Sequence, residues 1–293
     1  MRKLIAAGLL ILLVSAGAAD SVIADPLQEA EAAFGRSDYA TVLQLSEPLA
    51  VQGNARAEVN LGILNEYGLG IPRDESEAAN WYRQAAEQGD AAAQTSLGLM
   101  YEHHDFSGTM KEAASWYLRA ADQGDALGQF LLGRMYTEGW GVNHDDAMAA
   151  ALYRKAADQG LPEAQEEMRV AYTLGMGVPK DPAMAILYAR KAADQGHALA
   201  QAVLAQSYLE GRGMPQDHVL ALEWISLAAE HFPASAVKRA SPHDYLGASI
   251  ITARNELAAK MTADENAEAE RLVSKWRSRH PVLPEIHSYE MEF

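Results

Sequence analysis

The side chains that could carry chemistry in this chain form three groups. Ser235-Ala236-Val237-Lys238 has the Ser-x-x-Lys spacing in which a lysine activates a serine for acyl transfer to a β-lactam-like substrate. That chemistry also needs Ser-Asp-Asn and Lys-Thr-Gly segments, and the sequence contains neither. His103, His104 and Asp105 offer ring nitrogens and a carboxylate to a metal ion. Adjacent histidines in one loop seldom converge, however, and no further ligand is spaced to complete a shell, so the segment reads as an irregular surface turn. The third group is a row of carboxylates: Asp74, Asp145, Asp181 and Asp217 each stand seven residues before a large side chain, Trp81, Leu152, Tyr188 or Trp224. An aspartate at that distance accepts a backbone N–H at the start of a helix, which makes the row a set of caps rather than a catalytic array. His-Glu-x-x-His, Gly-x-Ser-x-Gly and phosphate-binding lysine loops do not occur. The residues therefore support no catalytic residue, no metal and no cofactor.

What must position these groups is a repeat. Gly89, Gly124, Gly160 and Gly196 stand 35, 36 and 36 residues apart, each closing an Ala-Ala-x-Gln-Gly phrase. Self-similarity at this period marks a solenoid, in which each unit buries its apolar face only against its neighbours. In the first half of the units, Ala93, Leu97 and Tyr101, Gly128, Leu132 and Tyr136, and Ala200, Leu204 and Tyr208 recur at four-residue spacing, which is one helical stripe. A small residue after the Leu (Gly62, Gly98, Gly133, Ala205) leaves room for a close approach. The second half repeats Ala78, Trp81 and Ala85, then Ala113, Trp116 and Ala120, and so on, the face of a second, antiparallel helix. Between the two lie Gly68-Leu69-Gly70, Gly139-Trp140-Gly141, Gly175-Met176-Gly177 and Gly211-Arg212-Gly213, which read as helix ends and turns. Thr109 with Glu112 and Asp74 with Glu77 have capping-box spacing, and Pro182 suits a first helical turn.

The chain begins with Arg2 and Lys3, an apolar run from Leu4 to Val14 and small residues to Ala19, the pattern of an export signal. The run is shorter than the roughly 20 residues that span a bilayer. Cleavage after Ala18 or Ala19, or after Val22-Ile23-Ala24, fits equally, and residues 1–24 are assigned to the signal. The expected location is periplasmic or secreted. Without cysteine the exported chain has no disulfide and no lipid-anchor thiol. Loss of Arg2 and Lys3 moves the formal charge from −16 to −18, which repels phosphate backbones and anionic lipid. The expected partner is another protein, with a basic segment allowed by the charge, and neither nucleic acid nor inserted membrane. A monomer is expected.

The whole phrase, recurring in register, resembles Sel1-like repeats, relatives of tetratricopeptide repeats with Gly-x-Gly between their helices. The resemblance implies an all-α, right-handed α-solenoid of antiparallel helix pairs with helical caps. Five repeats fall at about 57–92, 93–127, 128–163, 164–199 and 200–232. Residues 25–55 read as an N-terminal capping pair, 233–279 as C-terminal capping helices with Thr262 and Glu265 as a capping box, and 280–293 as a tail. The second unit departs from the pattern at Glu102–Gly108, and the fourth at Met168-Arg169, where Leu-Gly is usual. The family commonly serves as adaptors and scaffolds, bacterial members often in the envelope, which implies a binding protein without catalysis of its own.

Placing the repeats on the tetratricopeptide pattern puts Glu66, Glu102, Phe130, Arg134, Thr137, Glu138, Gln206 and Glu210 on a concave helix-A surface. Four glutamates in a row could hold a segment carrying Lys or Arg, or form an ordinary solvated wall. Trp140, between two glycines, is either an exposed contact residue or an indole folded back on the next unit. A cell-wall or polysaccharide scaffold is the alternative, with Trp140 and Phe106 as its aromatic platforms, and a β-lactam-interacting hydrolase built on Ser235 and Lys238 is the more distant one.

Overall fold

The computed structural model describes residues 25–103, 110–231 and 242–280. The signal segment, Thr109, His104 to Phe106, Ser235 to Lys238 and the tail from residue 281 lie outside the described residues. All described regular structure is helical: α1 (Pro26–Gly35), α2 (Tyr39–Val51), α3 (Ala55–Tyr67), α4 (Glu75–Glu87), α5 (Ala91–His103), α6 (Met110–Asp122), α7 (Ala126–Glu138), α8 (Asp146–Asp158), α9 (Pro162–Leu174), α10 (Pro182–Asp194), α11 (Ala198–Glu210), α12 (His218–Glu230), α13 (Pro242–Lys260) and α14 (Ala263–Arg279). The chain divides into two compact units, residues 1–156 and 157–293, with the division at the end of α8.

Helix ends follow the expected chemistry. The Asp74, Asp181 and Asp217 carboxylates accept from the backbone of Glu77, Met184 and Leu220 at 3.0–3.1 Å, and Asp145 accepts from Met148 at 2.9 Å. Gly68, Gly139, Gly175 and Gly211 close α3, α7, α9 and α11 in the left-handed conformation, where a side chain would be strained. The Thr262–Glu265 capping box opens α14 with both reciprocal bonds made. A second set of caps follows Gly53, Gly89 and Gly124, where Asn54, Asp90 and Asp125 accept from Ala57, Ala93 and Gly128 at 3.0, 2.8 and 2.6 Å, whereas Leu161 and His197, after Gly160 and Gly196, make no side-chain cap bond.

Within unit 1, α1 and α2 stack on α3 and extend the array at its amino end, with Phe34, Val42, Leu64 and Tyr82 in one core. The large residue of the second helix is not the expected one in the first two repeats. Trp81 and Trp116 are only partly buried, whereas Tyr82 and Tyr117, one position later, are 1% and 0% exposed. The reason lies on the facing helix. A Cβ at Gly62 would stand 2.5 Å from the Tyr82 ring, at Gly98 2.6 Å from Tyr117, and at Gly133 2.7 Å from Tyr153. Each glycine is therefore the seat of a tyrosine ring within its own repeat.

Unit 2 uses a different pair. Arg169 and Ala205 occupy the glycine position, and Ala189 and Ile225 occupy the tyrosine position. The missing ring removes the need for glycine, so Arg169 fits where Leu-Gly is usual and pairs with Glu166 at 2.6 Å. In this unit α13 and α14 both pack on α12, around Leu257, Ala269 and Val273.

A polar ladder runs beside the apolar core in each unit. In unit 1, Gln94 donates to the Ala86 carbonyl at 3.1 Å and accepts from Gln123 at 2.9 Å. In unit 2, Gln165 donates to Ala157 at 3.3 Å and accepts from Gln195 at 2.9 Å. Glu58 holds the equivalent place in the first repeat, accepting from Gln88 at 2.8 Å. Burial pushes its carboxyl above the usual carboxylate range, an effect the Gln88 bond opposes.

Candidate functional site

The seated tyrosines place their hydroxyls against the last turn of the facing helix. Tyr82 donates to Glu66 and Tyr117 to Glu102, both at 2.8 Å, and the Tyr153 hydroxyl lies 3.1 Å from Thr137 Oγ1. Burial first, then the neighbouring carboxylate, raises the Tyr82 and Tyr117 phenols well above their ordinary value, so both stay donors at neutral pH. Glu66, Glu102 and Thr137, three of the candidate groove residues, thus face the protein interior with at least one polar atom each.

Glu102 is drawn in furthest. Its side chain is 5% exposed, and besides Tyr117 it accepts from the Arg134 guanidinium, itself 17% exposed. Arg134 lies on α7, one repeat on, so this ion pair ties the second repeat to the third. Its guanidinium also stands 6.0 Å from the Trp140 ring centroid, within cation–π range. Phe130, on the same face of α7, meets the Tyr153 ring at 5.8 Å. The structure therefore brings Glu102, Arg134 and Trp140 together in unit 1, with Phe130 and Thr137 on the adjoining turn of α7 and Glu138 exposed at its end.

Trp140 keeps 41% of its surface exposed. The turn that carries it needs glycine at both flanks. Gly139 and Gly141 both have φ of 69°, and a Cβ at Gly141 would lie 2.1 Å from the Met110 carbonyl oxygen. The indole is thus presented from a turn locked onto the first residue of α6, whose own side chain is 39% exposed. Gln206 and Glu210 lie in unit 2, where they bond each other and Arg212 also bonds Glu210.

Sequence reading missed Tyr82 and Tyr117, although a signal was present. Glycine and tyrosine occur together in the first three repeats and are lost together in the last two. Among the described residues no cluster of His, Asp and Glu is arranged to hold a metal ion, and no helix is long and apolar enough to cross a membrane.

Tandem helix pairs with a shared polar ladder and glycine-seated rings define the chain as a repeat solenoid. Residues 55–90, 91–125, 126–161, 164–197 and 198–231 match the family model described as the Sel1 repeat, and the chain belongs to that family. A solved protective antigen present in uropathogenic Escherichia coli strains, displaying an SLR fold, is 32% identical with a TM-score of 0.70. The match covers 86% of this chain and 52% of that one. A Sel1 repeat protein from Oxalobacter formigenes is 27% identical with a TM-score of 0.66, covering 86% and 97%. Human protein sel-1 homolog 2 is 34% identical over 68 residues, and the chitin synthase regulator SKT5 of Malassezia restricta 45% over 51 residues. Those segments span 10% and 4% of the two proteins.

Proposed function

We propose that this chain is an exported scaffold that binds another protein in the bacterial envelope, with Trp140 as the central contact. The observation that carries the reading is the indole itself. A tryptophan left 41% exposed, on a turn whose Gly141 packs its backbone against Met110, offers a partner a large apolar surface beside polar groups. Arg134 beside it and Glu138 on the adjoining turn supply polar groups at the rim of the contact. Glu66 and Glu102 act differently, as acceptors for buried tyrosines that set the shape of the face. Export is supported by Arg2, Lys3 and the apolar run to Val14, and the envelope by the likeness to a protective antigen.

The test is a photo-crosslinking amino acid placed at position 140 and, in a second strain, at Leu118 on the outer face of α6, which is 46% exposed. The proposal expects one discrete protein adduct from position 140 and none from position 118. Equal adducts from both positions, or none from 140, would remove Trp140 from the interface.

A further inference from the structure

Of the four glutamates in the candidate row, three are already committed. Glu66 accepts from Tyr82, Glu102 from Tyr117 and Arg134, and Glu210 from Gln206 and Arg212. Glu138 is exposed at the end of α7 and makes no hydrogen bond or ion pair among the described residues. The reason lies in the turn that follows it. The other three Gly-x-Gly turns each carry a cation of their own, Arg73, Lys180 or Arg212. Arg73 pairs with Glu75, and Arg212, between its two glycines, pairs with Glu210, which corresponds to Glu138. The third repeat has Trp140 where the fifth has Arg212, and His144 where the first and fourth have Arg73 and Lys180. His144 does not fill the gap. Its Nδ1 lies 2.7 Å from the Thr137 carbonyl, which only accepts, so the proton of the neutral ring sits on Nδ1. Nε2 then has no hydrogen to give to Asp146, 3.5 Å away. The exposed indole thus stands in one stretch of chain with Glu138, Asp145 and Asp146, and the turn from Gly139 to Asp145 holds no Lys or Arg to match them.

We infer that this gap takes an arginine side chain of the partner, its guanidinium on the open part of the Trp140 indole and its charge against Glu138. The inference rests on Trp140 being the partner contact and names what meets it. Tryptophan is the best of the rings for a cation, and a guanidinium can stack on an indole while it bonds a carboxylate. The partner's arginine does from outside what Arg212 does within the fifth repeat. Arg134 does not take its place, because that guanidinium is 17% exposed, is held by Glu102 and stands 6.0 Å from the ring centroid. Lys111 and Glu112, on the first turn of α6 that Gly141 touches, are opposite in sign and offset each other. The formal charge of −16 on the whole chain adds a longer-range attraction for a basic segment.

The test is an NMR titration of the full mature chain with N-acetyl-arginine methylamide, with the norleucine derivative as the uncharged control. The arginine derivative should move the Trp140 indole N–H and the Gly139 and Gly141 amides to saturation, and the norleucine derivative should not. In Glu138→Gln the affinity for the arginine derivative should fall about threefold, the loss of one exposed ion pair. Trp140→Arg gives the third repeat the arginine of the fifth, and the two glycine amides should then no longer respond. A norleucine response as strong as that to arginine, or an unchanged arginine affinity in Glu138→Gln, overturns the inference. The photo-crosslink from position 140 separates it from the reading beneath it. An adduct on a partner segment that holds an arginine supports the inference. An adduct on a segment without one overturns it and leaves the Trp140 contact standing, whereas no adduct at all removes that contact as well.

Discussion

Substituting Gly98 by alanine tests the seat of the tyrosine ring. The added Cβ would meet Tyr117 Cε1 at 2.6 Å and Cδ1 at 2.7 Å. Carbon contacts are comfortable near 3.5 Å, so the ring must retreat by roughly 0.9 Å. Tyr117 is fully buried, with Ala113, Leu131 and Met135 in the same core, and its hydroxyl is bonded to Glu102. Overpacking of this kind costs about 1–3 kcal/mol. Misplacing the hydroxyl beside a buried carboxylate adds about 1 kcal/mol. Alanine returns about 1 kcal/mol as the better helix former. The net loss is about 2 kcal/mol, measurable as a shifted midpoint in urea denaturation and as faster hydrogen exchange in α5 and α6. The decisive arm is a double-mutant cycle with Tyr117→Ile, because Gly98→Ala with Tyr117→Ile recreates the Ala205 and Ile225 pair of the fifth repeat. Tyr117→Ile alone should destabilise, and Gly98→Ala should then cost little or improve the variant, giving a coupling of at least about 1 kcal/mol. Strict additivity of the two changes would refute the seat.

Two further substitutions probe the buried polar groups. Glu58→Gln gives the first repeat the ladder residue of the other four, accepting from Gln88 with no charge to bury. Because the folded carboxyl is raised, its ionised form opposes folding above its ordinary 4.5, so the variant should be more stable than the parent at pH 7 and no more stable at pH 4 in parallel denaturation curves. Arg134→Ala strands the Glu102 carboxylate at 5% exposure and should cost about 3 kcal/mol, most of it recovered by adding Glu102→Gln, as thermal melts of the pair will show.

Much of the fold was legible because the residues that set it act locally. Asp74, Asp145, Asp181 and Asp217 cap helices within three residues of themselves, and Gly68 or Gly139 ends a helix by its own backbone conformation, so spacing alone reveals them. The ring seats are different. On α4, positions 81 and 82 both lie within one helical stripe with Ala78 and Ala85, and only the bare backbone of Gly62 on the facing helix selects Tyr82 for burial. The same limit applies to the candidate groove. Glu102 sits at an outward position of the repeat pattern, yet Tyr117 and Arg134, 15 and 32 residues away, turn its carboxylate inward. Trp140 needed no such partner to be found, because the two glycines that shape its turn are its sequence neighbours.

The contact assigned to Trp140 is tested most directly by affinity. With the protein crosslinked from position 140 in hand, its dissociation constant for the purified chain should rise at least about tenfold on Trp140→Ala, the loss expected of a central indole worth about 1.4 kcal/mol or more. Leu118→Ala should leave it unchanged. A Trp140→Ala variant that binds as tightly as the parent, with its melting temperature intact, would contradict the assignment.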